Sequence, residues 1–342
     1  MIGRIYGTGS SVPKKIVSND DLAKLVDTND AWIRERTGVA RRRIAEEETA
    51  VSMAADASRK ALEQSGIAAE ELDLILVSTI SSELILPCTA CEVQRLIGAN
   101  NAFAMDLNAA CAGFLFAYEA AQAYIAAGMA RTVLVIGVET LSNLVNWKDR
   151  STCILFGDGA GAAVLRAEEG DRVVSVSHSD GRKGSALTCM SRHRKGVQNV
   201  EEDLDSYMQM DGREVFKFAV KKVPEAILEV LEEAGTKVEE IDYFVLHQAN
   251  KRIVEAVAKR LMTDISKFPM NMEEYGNTSS ASIPILLDEM NQDGRLKKAK
   301  TKLSAEASVS IPITVHTYGS PHKFCYCKSR MCIVHLENYF FM

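Results

Sequence analysis

The feature of this sequence that most constrains its fold is an internal repeat. Residues 61–77 (ALEQSGIAAEELDLILV) align without gaps with residues 230–246 (VLEEAGTKVEEIDYFVL), and Gly66/Gly235 and Asp73/Asp242 are among the identical pairs. Each copy has the pattern of a helix end, a glycine turn and a buried strand. Unrelated helix–turn–strand units can share this chemistry, but two halves of about 170 residues favour duplication. We therefore predict two similar halves, residues 1–170 and 171–297.

Apolar runs and helical patterns alternate along both halves. In the first half we predict strands at 72–79, 103–108 and 132–138 and helices at 87–97 and 112–127. In the second half we predict a strand at 241–246 and helices at 215–233, 251–261 and 280–290. This alternation predicts α/β architecture.

Charge and cysteine usage restrict the kind of protein further. The net charge of -6 argues against nucleic-acid binding as the main activity. No run of about 18 apolar residues predicts a membrane span, and the N-terminus lacks the pattern of a signal peptide, so we predict a cytoplasmic protein. Its cysteines look scattered and without paired spacing, which suits reduced thiols; those before the tail are Cys88, Cys91, Cys111, Cys153 and Cys189.

Three polar residues stand where predicted elements meet. Cys111 follows a predicted strand and begins a predicted helix, where helix amides stabilise a thiolate. His247 comes directly after a strand, at an edge where α/β sheets place ligands. Asn277 lies in a polar loop that leads into a helix. Taken singly, Cys111 fits a core thiol and Asn277 a helix N-cap, whereas a core histidine would more often lie inside an element than after a strand. Together the three residues favour a catalytic trio.

The local sequences of this trio resemble one family of condensing enzymes. Cys111 lies in DLNAACAGF, His247 in HQAN and Asn277 in YGNTSSASIP; DAWIRERTG (30–38), FGDGAG (156–161, taken as a glycine-rich turn) and MDGREVF (210–216) add to the match. This pattern resembles β-ketoacyl-[acyl carrier protein] synthase III, of the thiolase-like superfamily. The resemblance covers residues 1 to about 297 and implies a five-layered αβαβα fold of two similar halves, usually in a homodimer.

The resemblance also implies an activity. The family initiates type II fatty acid synthesis: an acyl-CoA primer acylates the cysteine, here Cys111, and malonyl-[acyl carrier protein] then loses carbon dioxide beside the residues matching His247 and Asn277. A decarboxylative Claisen condensation gives a 3-oxoacyl-[acyl carrier protein]. The implied partners are acyl-CoA and the acidic carrier protein. No metal or other cofactor is implied, because acyl-CoA is a substrate.

Further site residues follow from matching positions. Those implied for CoA binding are Thr28, Trp32, Arg36, Arg150, Gly212, Phe216 and Asn250. Basic residues predicted to dock the carrier protein are Arg252, Lys217, Lys259 and Arg260. Leu86 falls where the family often has a phenylalanine that limits the primer pocket of the neighbouring subunit, so we expect longer or branched primers.

The tail, residues 298–342, departs from the family pattern. Relatives end in a glycine-rich segment between two strands that supplies an oxyanion-hole amide, and nothing like it follows Lys297. We interpret the tail as a replacement, such as a shifted reading frame produces, that exposes strand edges and weakens activity. Its cysteines and histidines lack zinc-site spacing; they are His316, His322, Cys325, Cys327, Cys332 and His335.

Other functions fit fewer features. A related Cys-His-Asn acyltransferase of polyketide or secondary metabolism would share the trio, and a chain impaired by its tail would only bind acyl groups or carrier protein. A nucleotide-binding protein could be argued from Gly7 and Gly9 or from Gly157–Gly161, but neither stretch has a full phosphate-loop pattern. We interpret these glycines as tight turns.

Overall fold

The structure is a computed structural model of the 342-residue chain. It describes residues 1–170, 173–190 and 207–296, and the backbone of 331–334. The histidines and cysteines of the tail, apart from the backbone of Cys332, lie outside these residues. So do all residues from 191 to 206, which lie within the predicted second half.

Strands in the described residues match the predicted apolar runs and add several others. They are β1 (Ile2–Ser11), β2 (Ile16–Ser18), β3 (Arg41–Arg43), β4 (Leu74–Ser78), β5 (Phe103–Leu107), β6 (Thr132–Thr140), β7 (Asp158–Glu168), β8 (Leu187–Thr188), β9 (Gln209–Met210), β10 (Tyr243–Leu246) and β11 (Met331–Val334). The main sheet of the first half has the order β1-β7-β6-β4-β5. In this sheet β4 is parallel to β5 and β6, and β7 is antiparallel to β6 and β1.

Helices follow the predicted pattern within a few residues. They are α1 (Asn19–Leu22), α2 (Asp30–Thr37), α3 (Ala50–Ser65), α4 (Thr89–Ile97), α5 (Gly113–Ala126), α6 (Arg150–Cys153), α7 (Gly212–Glu233), α8 (Lys251–Arg260), α9 (Met272–Tyr275) and α10 (Ser282–Gln292). Gly128 follows the end of α5 and has φ +71°, the left-handed conformation that its position after the helix predicts. Helix α7 begins three residues before the predicted start and continues through Pro224.

The main sheet is covered by helices on both faces. On one face, apolar residues of α3 and α4 pack against Leu134 and Ile136 of β6. On the other face, Phe114 and Tyr118 of α5 and Leu286 of α10 join the core of the sheet. Because α10 also contacts β10, this helix forms a layer between the first-half sheet and the second-half strand.

The two copies of the repeat adopt the same local structure. Helix α3 ends at Gly66 with φ +67°, and a 3-10 turn at Ala69–Glu71 leads into β4. Helix α7 is followed by Gly235 with φ +61°, and a 3-10 turn at Val238–Glu240 leads into β10. Both glycines occupy the left-handed region that ends helices and that other residues enter at a cost.

Several of the glycines interpreted as tight turns lie inside strands. Gly7 and Gly9 lie inside β1, where a Cβ atom would stand 2.2 Å from the Ala61 carbonyl oxygen and 2.3 Å from that of Ala57. Gly161 lies inside β7, where a Cβ atom would stand 2.6 Å from the amide nitrogen of Ile285. The turn interpretation is wrong: these glycines allow α3 and α10 to approach the sheet closely.

Among its described residues, the tail contributes one strand to the second half. β11 pairs in parallel with β10, with Tyr243 opposite Met331 and Leu246 opposite Val334. The expectation that the altered tail exposes strand edges is therefore wrong along this side of β10. A short run of apolar and β-branched residues was enough to form backbone pairing that the glycine-rich family motif was expected to provide.

Candidate active site

Cys111 lies on a 3-10 turn, Ala110–Ala112, between β5 and α5. Its side chain is buried, and the preceding Ala110 has φ +44°, a conformation that alanine adopts only under strain. The α-helix begins at Gly113, not at the predicted residue 112. A Cβ atom on Gly113 would stand 1.7 Å from Ser78 Oγ, so the turn is pressed against the end of β4.

His247 follows β10 directly, as predicted. The side chain is buried, and its Nδ1 shares a 2.6 Å hydrogen bond with Ser282 Oγ, on the first residue of α10. Ser282 Oγ also accepts a hydrogen bond from the Gln248 amide (3.4 Å). Burial lowers the pKa of His247 to about 3, so the imidazole is neutral at physiological pH.

Asn277 lies in the loop before α10, and its backbone is fixed by the first half. Its amide donates to the Leu155 carbonyl (2.8 Å) and its carbonyl accepts from the Gly157 amide (3.0 Å). Its side-chain Oδ1 accepts from the Ser279 amide (2.8 Å), within the 3-10 turn Ser279–Ala281. This hydrogen bond resembles the helix N-cap predicted for Asn277. It differs in that it stabilises the 3-10 turn before α10, and it orients the side-chain amide.

The start of α10 brings the three residues into one region. The turn Ser279–Ala281 packs against the turn that carries Cys111. The Ser279 amide holds Asn277 and the Ser282 hydroxyl holds His247. The structure therefore brings these distant segments together, and their role as one catalytic site stays a prediction.

A buried acid that the sequence analysis missed supports this arrangement. Glu139, near the end of β6, is completely buried and accepts hydrogen bonds from Ser81 Oγ (2.5 Å), the Ile80 amide (3.1 Å), Ser280 Oγ (2.9 Å) and Ser279 Oγ (3.3 Å). Burial raises its pKa to about 7, although the hydrogen bonds oppose this effect. The signal was present in the sequence, because a glutamate inside the apolar run TVLVIGVET needs buried partners.

Several residues implied for CoA binding form a cluster. The guanidinium carbons of Arg36 and Arg150 lie 4.5 Å and 4.8 Å from the centre of the Trp32 ring. The Asn250 side chain donates to the Arg36 carbonyl (3.1 Å) and its oxygen caps α8. The cluster is thus an aromatic ring edged by exposed positive charge, which suits an adenine and phosphate groups.

The remaining CoA candidates lie near the starts of α2 and α7. Thr28 is half-buried just before α2, and Gly212 begins α7. The half-buried Phe216 contacts the second-half basic surface, because the guanidinium carbon of Arg252 lies 5.5 Å from its ring centre. These contacts connect α7 with α8, which also pack against each other.

The residues predicted to dock the carrier protein are exposed on α7 and α8. They are Arg252, Lys217, Lys259 and Arg260. Lys217 pairs with Glu214 (2.9 Å) and Arg260 approaches Glu225 (3.9 Å), so part of their charge is balanced within the chain. Leu86 is 83% exposed, beside the similarly exposed Ile85. Within the described ranges, no part of the chain covers this apolar segment, which is predicted to reach a neighbouring subunit.

The described cysteines form no disulfide, but two of them are paired in space. The Sγ atoms of Cys88 and Cys91 lie 3.3 Å apart at the start of α4. The prediction that the cysteines have no paired spacing is wrong for this Cys-x-x-Cys segment. Among the described residues there is no group of three or more histidine, cysteine, aspartate or glutamate side chains that could hold a metal ion.

None of the helices in the described ranges has the length and apolar character needed to cross a membrane.

Comparison with known proteins gives consistent matches over most of the chain. The family model for the N-terminal part of 3-oxoacyl-[acyl-carrier-protein] synthase III matches residues 105–181, and the model for its C-terminal part matches 231–309. The chain is 49% identical over 298 residues to β-ketoacyl-[acyl-carrier-protein] synthase III of Clostridium novyi, covering 86% of this chain and 92% of that protein. The Clostridium tetani enzyme of the same name is also 49% identical, over 86% and 91%.

The chain belongs to the 3-oxoacyl-[acyl-carrier-protein] synthase III family. Its structure also matches the crystal structure of the synthase from Aquifex aeolicus VF5 with a TM-score of 0.81 at 43% identity, covering 87% of this chain and 93% of that one. These matches confirm the predicted thiolase-like fold. The C-terminal family match reaches residue 309, past Lys297, where the resemblance was expected to stop.

Proposed function

We propose that this synthase III family member starts type II fatty acid synthesis by condensing an acyl-CoA primer with malonyl-[acyl carrier protein]. The product is a 3-oxoacyl-[acyl carrier protein], formed through an acyl thioester on Cys111. The observation that carries the proposal is the convergence of Cys111, His247 and Asn277 at the start of α10, in a chain whose relatives bear this enzyme's name. No observation favours the polyketide-type alternative.

In the first step Cys111 is the nucleophile. Its thiolate attacks the thioester carbonyl of acyl-CoA, the CoA thiolate leaves, and the acyl group remains on the enzyme. The strained Ala110 and the glycine at 113 support this role, because they present the sulfur on a tight turn at the entry to α5. Backbone amides at such a turn can stabilise the oxyanion.

In the second step His247 and Asn277 are the hydrogen-bond donors. Malonyl loses carbon dioxide, and the negative charge of the resulting enolate gathers on the thioester oxygen. Ser282 accepts from Gln248 and can donate its own proton to Nδ1, which places the proton of the neutral His247 ring on Nε2. The bond from Ser279 to Asn277 Oδ1 leaves the Asn277 amino group to donate to the same oxygen.

The condensation closes the cycle. The enolate carbon attacks the acyl carbonyl on Cys111, a carbon–carbon bond forms, and the thiolate of Cys111 is released. The residues in these roles are neutral donors and one thiol, so the proposed reaction needs no metal or other cofactor. Neutral donors suit charge that exists only transiently, because they stabilise the enolate without binding the neutral thioester equally well.

The Trp32 cluster is our proposed site for the nucleotide end of CoA. Trp32 would stack on adenine, while Arg36 and Arg150 would meet phosphate oxygens. The neighbouring positions proposed for weaker contacts are Thr28, Gly212, Phe216 and Asn250. The exposed bases of α7 and α8, above all Arg252 beside Phe216, would attract the acidic carrier protein to the same entrance.

We also propose a cytoplasmic homodimer. The exposed apolar side chains of Leu84, Ile85 and Leu86 support a partner subunit, because adjacent apolar side chains of this size seldom remain in water. Leu86 is smaller than phenylalanine, so the primer pocket it limits would accept longer or branched acyl groups. Comparing turnover of acetyl-CoA with isobutyryl-CoA tests this; a strong preference for acetyl-CoA would contradict it.

For the domain organisation we propose thiolase-like halves at 1–170 and 171–297 and a separate tail at 298–342. The equivalent local structures around Gly66 and Gly235 support the two halves. The parallel pairing of Met331–Val334 with β10 supports a tail that substitutes for part of the family's closing strands. The pairing of β11 with β10 supplies no backbone amide opposite Cys111.

The test separates the two chemical steps. Asn277→Asp keeps the shape of the side chain but replaces the amino donor, so malonyl decarboxylation should fall about 100- to 1,000-fold. Acylation of Cys111 by labelled acyl-CoA, measured on the intact protein by mass, should remain. Asn100→Asp, at an exposed asparagine, is the matched control and should leave both steps unchanged.

Two results would count against the proposal. One is full decarboxylation by the Asn277 variant. The other is acylation that persists when Cys111 is replaced by alanine, because the acyl group must then reside elsewhere.

A further inference from the structure

The turn that orients Asn277 contains a residue in a strained conformation. Ser279, whose amide donates to Asn277 Oδ1 at 2.8 Å, has φ +48°, in the left-handed region that serine enters only at a cost. A residue persists in this conformation only when its surroundings hold it there. Contacts that fix the 3-10 turn Ser279–Ala281 therefore also fix the side-chain amide of Asn277.

Glu139 supplies such contacts from the neighbouring strand β6. Its Oε1 accepts from Ser280 Oγ at 2.9 Å and from Ser279 Oγ at 3.3 Å. Gly137, two residues earlier on β6, allows this approach, because a Cβ atom there would stand 2.4 Å from the Ser280 carbonyl oxygen. The turn thus packs directly on β6, and two of its hydroxyl groups meet one buried carboxyl oxygen.

We propose that Glu139 is a positioning residue for decarboxylation, which holds the turn Ser279–Ala281 so that the Asn277 amino group points at the enolate oxygen. This role rests on the function proposed for Asn277, and Glu139 acts through Asn277 and not on the substrate. Because Glu139 is buried within one chain, the role requires neither access from solvent nor a particular assembly.

The second carboxyl oxygen fixes Glu139 to the framework of the first half. Oε2 accepts from the Ile80 amide at 3.1 Å and from Ser81 Oγ at 2.5 Å. Ser81 is itself held by Thr140, whose amide donates to Ser81 Oγ (2.8 Å) and whose hydroxyl donates to the Ser81 carbonyl (2.7 Å). With Oε2 held in this way, Oε1 has a defined position to which the hydroxyl groups of the turn align.

Ser280 also connects the turn with the proposed nucleophile. Its hydroxyl can donate to the Ser78 carbonyl oxygen, at 3.1 Å, and Ser78 Oγ is the atom that a Cβ on Gly113 would strike. Gly113 directly follows the turn that carries Cys111. Glu139 therefore helps to fix one side of the site relative to the other, which is the kind of placement on which the rate depends.

The contact with Ser280 persists in both protonation states of Glu139. Burial raises the pKa of Glu139 to about 7, so both forms are populated near neutral pH. The carboxylate accepts the Ser280 proton. In the acid form the proton lies on Oε1, because the Ile80 amide can only donate and needs an acceptor on Oε2. The acid then donates to Ser280 Oγ, and Ser280 donates to the Ser78 carbonyl. Glutamine has the geometry of the acid form, so it should keep this contact.

The experiment measures the two chemical steps separately on the full chain. Steady-state decarboxylation of malonyl-carrier protein gives kcat and KM, and labelled acyl-CoA gives the rate of Cys111 acylation. In the double variant Ser279→Ala, Ser280→Ala, kcat for decarboxylation should fall about 10- to 100-fold, because displacing a donor by about 1 Å is enough for such a loss. KM and the acylation rate should stay close to the parental values. Ser58→Ala, at a buried serine of α3 whose hydroxyl donates to the Ala54 carbonyl, is the matched control and should behave like the parent.

Changes at Glu139 separate positioning from stability. Glu139→Met keeps the length of the side chain but has no oxygen, so it should lower kcat for decarboxylation as the double variant does. Glu139→Gln should retain most of the rate, although it changes the free energy of unfolding, because its amino group can donate to Ser280. A role in stability alone predicts instead that the rates follow the free energy of unfolding, which urea unfolding measures for each variant.

Hydrogen–deuterium exchange gives a readout that does not depend on activity. The backbone amides of residues 278–282 should exchange faster in the double variant and in Glu139→Met than in the parent chain, because the turn has lost its contact with β6. Ser58→Ala should show parental exchange in this segment. The double variant keeps the carboxyl of Glu139, so it tests the role even if Glu139→Met does not fold.

Three results would overturn the inference. The first is a double variant that decarboxylates at the parental rate while Asn277→Asp has lost this activity. The second is an equal loss of decarboxylation and acylation, which indicates general damage to the site. The third is a set of rates that follows the free energy of unfolding across the variants. If Asn277→Asp itself keeps the parental rate, the proposed function is refuted, and the positioning role is refuted with it.

Discussion

Replacing Glu139 with glutamine should remove a pH-dependent part of this protein's stability. Glu139 is completely buried, and its carboxylate oxygens accept hydrogen bonds from both the segment after β4 and the loop before α10. Burial raises its pKa from the ordinary 4.5 to about 7. The carboxyl is therefore protonated in the folded chain at pH values where it is ionised in the unfolded chain.

The sign and size of the effect follow from this difference. Below about pH 4.5 both states are protonated and the acid makes no pH-dependent contribution. As pH rises to about 7, the unfolded chain loses the proton first, so the free energy of unfolding falls. With one pKa unit worth about 1.4 kcal/mol, the full loss is about 3 kcal/mol and stays constant at higher pH. Glutamine cannot ionise, so the Glu139→Gln variant lacks this loss.

Urea unfolding of both proteins between about pH 4.5 and pH 8, at one protein concentration, measures the effect. The side-chain amide of the introduced glutamine turns its own N–H groups towards the hydrogen-bond donors around position 139. This lowers the free energy of unfolding by about 1–3 kcal/mol at low pH. The informative quantity is therefore the stability of the parent minus that of Glu139→Gln, which should fall by about 3 kcal/mol as pH rises. Glu233→Gln, at an exposed acid on α7, controls for the loss of one carboxyl. A difference that does not change with pH would refute the reasoning.

Three further changes have defined outcomes. Gly113→Ala places a Cβ atom 1.7 Å from Ser78 Oγ, so it should lower the free energy of unfolding by about 1–3 kcal/mol and abolish acylation of Cys111. Gly184→Ala is the control, because the space around Gly184 is open. Urea unfolding and acylation assays should show neither effect for the control. Trp32→Ala should raise KM for acyl-CoA about 10-fold with kcat little changed, since stacking on a base contributes about 1–3 kcal/mol; an unchanged KM would exclude stacking. Arg252→Glu should raise KM for malonyl-carrier protein most at low salt, and a salt-independent effect would contradict electrostatic docking.

The fold was predictable where the local pattern and the tertiary structure agree. The repeat gave the same helix, glycine turn and strand in both copies, because a glycine in the left-handed region and a buried apolar run are local features. The proximity of the segments that carry Cys111, His247 and Asn277 was predictable for a related reason. Each follows or precedes a strong strand or helix signal, and such junctions in α/β proteins face a common edge.

Features that depend on long-range packing were not predictable. The sequence predicts turns at the glycines of β1 and β7, because it does not show that α3 and α10 lie within van der Waals contact of them. The partners of Glu139 are serines about 60 and 140 residues away, so its network has no local signature. The strand at Met331–Val334 was missed because its pairing with β10 depends on a neighbour far along the chain.

The backbone pairing of Asn277 with Leu155 and Gly157 determines when the site can exist during synthesis. About 120 residues separate these partners, so the contact has a high contact order and forms late. At about 5–20 residues per second, a ribosome needs roughly 6–24 s to make that stretch. A nascent chain can thus fold the sheet that carries Cys111 well before Asn277 and His247 are available. Only a chain synthesised through α10 can combine the proposed acyl-accepting thiol with the proposed donors for decarboxylation.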